Sequence, residues 1–268
     1  VYCTVHPQSV DALFEEDEAL GLRLAAGKVL MDRNAPDGLR DTAQSGYDQS
    51  QALIAKWHGR GRLIYAITPR FAGTSSPEQL AAAGALWRAH GDCLMQTHLA
   101  ENRQEVAWIK ELFPDRRGYL DVYDHHGLCG RRAVFGHGIW LQDDELQHLH
   151  VTGAAIAHCP TSNFFLGSGA FDVFRAMARE RPVRVGLGTD IGAGTSFSIL
   201  STLGEAYKAS QLNGQSLSAC HAYYLATRGS ARAKSDPWRR NPAGLSRRTG
   251  PPPARPPAWC SCPPCRTS

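Results

Sequence analysis

At 268 residues and 43% hydrophobic content the chain can bury a sizeable core, and its net charge of +4 is unevenly spread. From Lys234 onward one Lys and six Arg stand against a single Asp, so residues 1–233 carry a net −2, which argues against a nucleic-acid partner because that would want a basic face on the folded part. No N-terminal secretory pattern is present and the apolar runs fall far short of the ~18 residues a membrane span needs, so the expectation is a cytoplasmic protein with no membrane partner.

Short β-rich or apolar runs recur at Val1–Val5, Leu24–Met31, Leu63–Ile67, Cys93–Thr97, Ala133–Phe135, Ala154–Ala157 and Val183–Leu187, and read as seven buried strands. Helical patterns lie between them. One runs from Pro77 to Arg88, with Ser76 as N-cap and Pro at the first helical position; another runs from Arg103 to Phe113. Strand and helix alternate, which implies a parallel sheet of the α/β class. Cys3, Cys93, Cys129, Cys159 and Cys220 are scattered singly through apolar stretches, as buried thiols in a reducing compartment are.

Each strand ends in a polar or chemically capable residue: His6, Asp32 with Asn34, Arg70, His98, His137, His158 and Asp190. Loops begin at such points, so any single position is as readily explained by that alone. All of them in register favour a (β/α)8 TIM-type barrel, whose C-terminal strand ends converge on one mouth, over a doubly wound sheet. The expected organisation is a barrel over 1–233 with about seven of eight strands, followed by a tail over 234–268. That tail holds nine Pro and no Val, Ile, Phe or Tyr, a composition expected to be disordered and similar to a GC-rich coding region read out of frame. Its Cys260-Ser-Cys262-Pro-Pro-Cys265 run lacks the nearby His that would complete a four-ligand metal set.

In Met95-Gln-Thr-His98-Leu-Ala-Glu101 an imidazole leaves a strand end and a carboxylate follows one turn later. Alone, His98 is as readily a satisfied structural histidine. With Asp190 of Gly186-Leu-Gly-Thr-Asp190 facing it, the two donor types suit zinc, which lowers the pKa of a bound water to ~7. Glu101 would then stand beside that water as a proton shuttle, with His137 on a neighbouring strand.

Gln96-Thr-His-Leu-Ala-Glu101, Phe135-Gly-His-Gly138, His158-Cys-Pro-Thr-Ser-Asn163 and Gly186-Leu-Gly-Thr-Asp190 resemble, in order and spacing, the amidohydrolase superfamily of metal-dependent deaminases. Within it, Gly27-Lys-Val-Leu-Met-Asp32, Ile67-Thr-Pro-Arg-Phe71 and Asp121-Val-Tyr-Asp124 are most similar to the guanine deaminases, over nearly all of residues 1–233. The resemblance implies hydrolysis of guanine to xanthine and ammonia with one Zn2+ per complete site. It matches His98 and Asp190 to metal ligands, Glu101 to the acid/base and His137 to the residue orienting the hydroxide. Arg70 and Phe71 match the substrate-reading pair, and His158 a structural role. A homodimeric full-length form is implied as well. A guanidinium carries only donors, which suits the O6 and N7 acceptor edge of guanine.

The sequence also departs from that pattern. The superfamily's first strand ends in His-x-His and supplies two further ligands. The nearest candidate here, His6, has no His two residues away, and the chain opens on Val1. The expectation is therefore a chain lacking its front, holding zinc poorly and nearly inactive by itself. Tyr224–Gly229 resembles the helix that precedes the small β-domain of these enzymes, and the Pro/Arg tail follows in that domain's place. Two alternatives stay open: another amino-heterocycle substrate, such as 8-oxoguanine or a chlorinated triazine, and a chain with only a binding role.

Overall fold

The computed structural model describes residues 1–233; the expected disorder and altered frame of 234–268, and its three clustered cysteines, lie outside the described residues. The strands are β1 Tyr2–Thr4, β2 Ala25–Leu30, β3 Ile64–Pro69, β4 Leu94–Leu99, β5 Ala133–His137, β6 Ala155–His158 and β7 Arg184–Leu187. They form one sheet in chain order, and every neighbouring pair is parallel. All seven expected runs are present.

β2 and β3 are buried at every position, as strands are when helices cover one face and packed side chains fill the other. The covering helices turn apolar stripes inward. Val10 and Phe14 do so from Pro7–Ala19, Leu53, Ile54 and Trp57 from Ala43–Trp57, and Leu80, Ala83, Leu86 and Trp87 from Pro77–Ala89. Ser76 caps the third of these by accepting from the Gln79 N–H, with Pro77 opening the helix as its sequence predicts. Asn102 does the same for Arg103–Leu112 through the Glu105 N–H.

Gly27 sets the approach of β2 to β3. A Cβ there would stand 1.7 Å from the Ala66 carbonyl oxygen, so any side chain would push the two backbones apart. Beside it, fully buried Lys28 reaches Asp41 at 2.6 Å and the Val29 carbonyl at 2.9 Å, so its charge is matched inside the fold. Within the described residues β1 and β7 each pair on one side only, leaving a curved, open sheet. A cavity of about 410 Å³ lies along that seam, lined among others by Cys3, His98, His137 and Asp190. No helix among the described residues is long and apolar enough to cross a membrane.

Candidate active site

Four strands run further than their apolar residues suggest, β3 through Thr68 to Pro69 among them, and this places the chemistry. β4 continues through His98 to Leu99, β5 ends on His137 and β6 on His158, while Asp190 follows β7 after two glycyl-threonyl residues, Gly188 and Thr189. At the strand ends the backbone turns sharply. Ala100, His137 and Asp190 adopt φ of 48°, 67° and 48°, a left-handed conformation that costs a non-glycine residue roughly 1–3 kcal/mol. The turns bring side chains from four strand ends to one mouth.

Ligand atoms of His98, His137 and Asp190 all lie within 4.8 Å of one another. The His98 Nδ1 is 2.7 Å from the Arg70 carbonyl oxygen, and His137 Nδ1 is 2.8 Å from Asn163 Oδ1. An N–H on each Nδ1 donates to those oxygens and leaves both Nε2 lone pairs facing the centre, the arrangement by which second partners orient metal-binding imidazoles. The two rings stack at 5.3 Å and 21°. Burial, reinforced by the neighbouring His137, holds the His98 pKa below its ordinary value and so keeps the ring in the neutral form a metal requires. Two imidazoles and a carboxylate fit a divalent metal.

Glu101 stands beside this group. Its Oε2 is 3.7 Å from His137 Nε2, while its Oε1 accepts from the Ser168 hydroxyl at 3.1 Å. A cavity of about 470 Å³ opens over these residues, with Arg70, Phe71 and Trp108 in its wall. The Arg70 guanidinium carbon lies 5.3 Å from the Phe71 ring centroid, and Phe71 and Trp108 meet at 6.0 Å and 58°. Guanidinium donors thus sit next to flat apolar surface, which suits a planar heterocycle with acceptor groups on its edge.

Other strand-end residues do not join the cavity. Asp32 instead accepts from the Ser76 amide and hydroxyl, and Asn34 donates to the Gly73 carbonyl, so both fasten the loop after β2 to the loop after β3. His6 sits at the start of the helix Pro7–Ala19. His158 is buried against the Phe171 ring at 5.0 Å, and burial, with His137 nearby, pushes its pKa down to about 3. Asn163, Ser168 and Tyr123 were not among the predicted site residues. Asn163 lies in the quoted His158–Asn163 motif, whereas Ser168 has no local signal at all. Tyr123 sits in Asp121-Val-Tyr-Asp124; its hydroxyl accepts from the Ala72 N–H at 2.9 Å and donates to the His98 carbonyl at 2.8 Å, clamping the ends of β3 and β4.

The profile of the Amidohydrolase family matches residues 2–235, and the chain belongs to that family. Its sequence is 56% identical to guanine deaminase of Escherichia coli K12 over 233 residues, which cover 87% of this chain and 53% of that relative. It is similar in fold to the solved structure of the E. coli enzyme, with a TM-score of 0.85 over 87% of this chain and 54% of that one. A C. acetobutylicum guanine deaminase, solved with guanine in its active site, is 31% identical with a TM-score of 0.82, over 87% of this chain and 57% of that one. The chain spans about half the length of the curated relatives it matches.

Proposed function

We propose that this chain carries the substrate-reading and proton-transferring part of a guanine deaminase, which hydrolyses guanine to xanthine and ammonia. The observation that supports it most is the convergence on one cavity of His98, His137 and Asp190 with Glu101, directly beside Arg70 and Phe71. The named relatives add the choice of guanine among planar amino-heterocycles. A cytoplasmic location and a homodimeric full-length form belong to the same proposal.

In this reading His98 and Asp190 would hold a zinc ion, with His137 Nε2 facing them. When bound, zinc supplies a water acidified to a pKa of ~7. Glu101 takes the proton of the attacking water as the C2–O bond forms and C2 becomes tetrahedral, then passes it to the exocyclic amine; the C2–N bond breaks, ammonia leaves, and the C2 hydroxyl tautomerises to the carbonyl of xanthine with its proton on N3. Ser168, donating to the other Glu101 oxygen, fixes which oxygen faces the centre. Arg70 donates to O6 and N7, while Phe71 and Trp108 pack against the ring and exclude water.

The test replaces the matching segment of E. coli guanine deaminase with residues 1–233 of this chain. Ammonia release is then measured from guanine, 8-oxoguanine and a chlorinated triazine. The expected result is turnover with guanine preferred. A folded, metal-bearing chimera that is inert, or that prefers either of the others, overturns the reading.

A further inference from the structure

We propose that Asp124, Cys129 and His148 form a second metal site, for a zinc-class divalent cation, in the helical layer outside the sheet. The three residues come from the helix Tyr119–His125, the connection that follows it, and the helix Asp143–Thr152. One ligand atom from each lies within 4.8 Å of the other two. Ligands bound to one tetrahedral zinc stand roughly 3.4–3.6 Å apart, so closure needs about 1 Å of side-chain rotation, and each of the three is only half-buried.

The partners these groups now have support the assignment. The buried Nε2 of His148 is 2.9 Å from Asp124 Oδ1, yet it makes no aligned hydrogen bond among the described residues. Asp121 is committed elsewhere, since its two oxygens accept from the Arg117 side chain and amide. The fourth position therefore falls to water, from a cavity of about 180 Å³ that His148, Asp124 and Asp144 line. That cavity shares no lining residue with the one over His98. Burial and the nearby carboxylates push the Cys129 thiol upward, so without a cation it stays protonated, and a bound cation would ionise it. A thiolate beside an imidazole favours zinc-class ions over magnesium or calcium.

A second cluster of similar composition, His58, Asp92 and Cys93, has its imidazole already engaged on both nitrogens. Its imidazole already accepts from the Tyr65 N–H at 3.0 Å and meets Asp92 at 3.1 Å, and Cys93 is fully buried. The proposed site is also next to a working element, because Asp124 follows Tyr123, which clamps the ends of β3 and β4.

Cobalt(II) distinguishes this site from the candidate active site, whose clustered ligand residues His98, His137 and Asp190 include no sulfur. The full chain, stripped with a chelator, is titrated with cobalt(II) and then with zinc. The expected result is a thiolate-to-cobalt charge-transfer band that saturates at one equivalent and is displaced by zinc. It should survive replacement of Cys260, Cys262 and Cys265 by Ser, vanish in Cys129→Ser, and need at least ~10-fold more metal in His148→Gln. A band unchanged by Cys129→Ser, or lost with the three tail cysteines, overturns the proposal. If Cys129→Ser does not fold, alkylation of Cys129 in the unsubstituted chain decides: saturating zinc should slow it at least ~10-fold, and an unchanged rate overturns the site.

Discussion

Replacing Tyr123 by Phe removes one oxygen and leaves the ring, so the change isolates what the hydroxyl does. That hydroxyl accepts from Ala72 N–H at 2.9 Å, donates to the His98 carbonyl at 2.8 Å and lies 3.2 Å from Thr97 Oγ1. Tyr123 and Ala72 are both fully buried and His98 is half-buried, so water reaches the groups left behind poorly. An orphaned buried backbone group costs about 1–3 kcal/mol, and two are orphaned here, giving a loss of about 3 kcal/mol after some relaxation. With a urea m-value of about 3 kcal/mol/M, the unfolding midpoint should fall by roughly 1 M. Thr97→Val serves as the comparison, since it removes a side-chain partner while leaving both backbone groups bonded, and should cost about 1 kcal/mol. The reasoning is refuted if Tyr123→Phe costs no more than Thr97→Val.

Acid should weaken the fold through His158. Its pKa is pushed down to about 3 when folded, against an ordinary ~6.5, so the unfolded chain binds the extra proton and stability falls as pH drops below ~6.5. Between about pH 7 and pH 5 that loss is about 2 kcal/mol, and urea midpoints of His158→Gln should show a pH slope reduced by that amount; an unchanged slope contradicts the assignment. Arg70→Met in the chimera with E. coli guanine deaminase should raise KM for guanine by about 10- to 100-fold, with a smaller effect on kcat, since it deletes the charged donors proposed to read O6 and N7. Steady-state kinetics that kept both affinity and selectivity for guanine would instead remove Arg70 from substrate reading.

The sheet was legible because its strands are apolar runs bounded by turn-forming residues, and all seven appear where Val1–Val5 through Val183–Leu187 place them. Their C-terminal ends were not. Thr68-Pro69, His98-Leu99 and Gly136-His137 continue the strands because neighbouring backbones offer partners, as His98 pairing with Gly136 does, and residue type does not announce that. The same limit separates Asp32 from Asp190. Both follow a strand, but Asp32 finds the Ser76 amide across the fold and becomes a structural brace. The roles of Asn163 and Ser168 are not legible locally because each acts through a partner 26 or 67 residues away. Such pairs are created by the topology and have no local pattern.

The assignment of Glu101 as proton carrier and of His98 and Asp190 as metal holders meets its most direct test in one variant. Glu101→Gln in the chimera keeps size and hydrogen-bonding reach, including the partner of Ser168, and removes only the proton acceptor. Turnover of guanine and bound metal are measured on the same sample. The account predicts a fall in kcat of at least ~100-fold with the metal retained. Turnover close to that of the unsubstituted chimera would contradict it, and so would loss of the metal, which would make Glu101 a ligand.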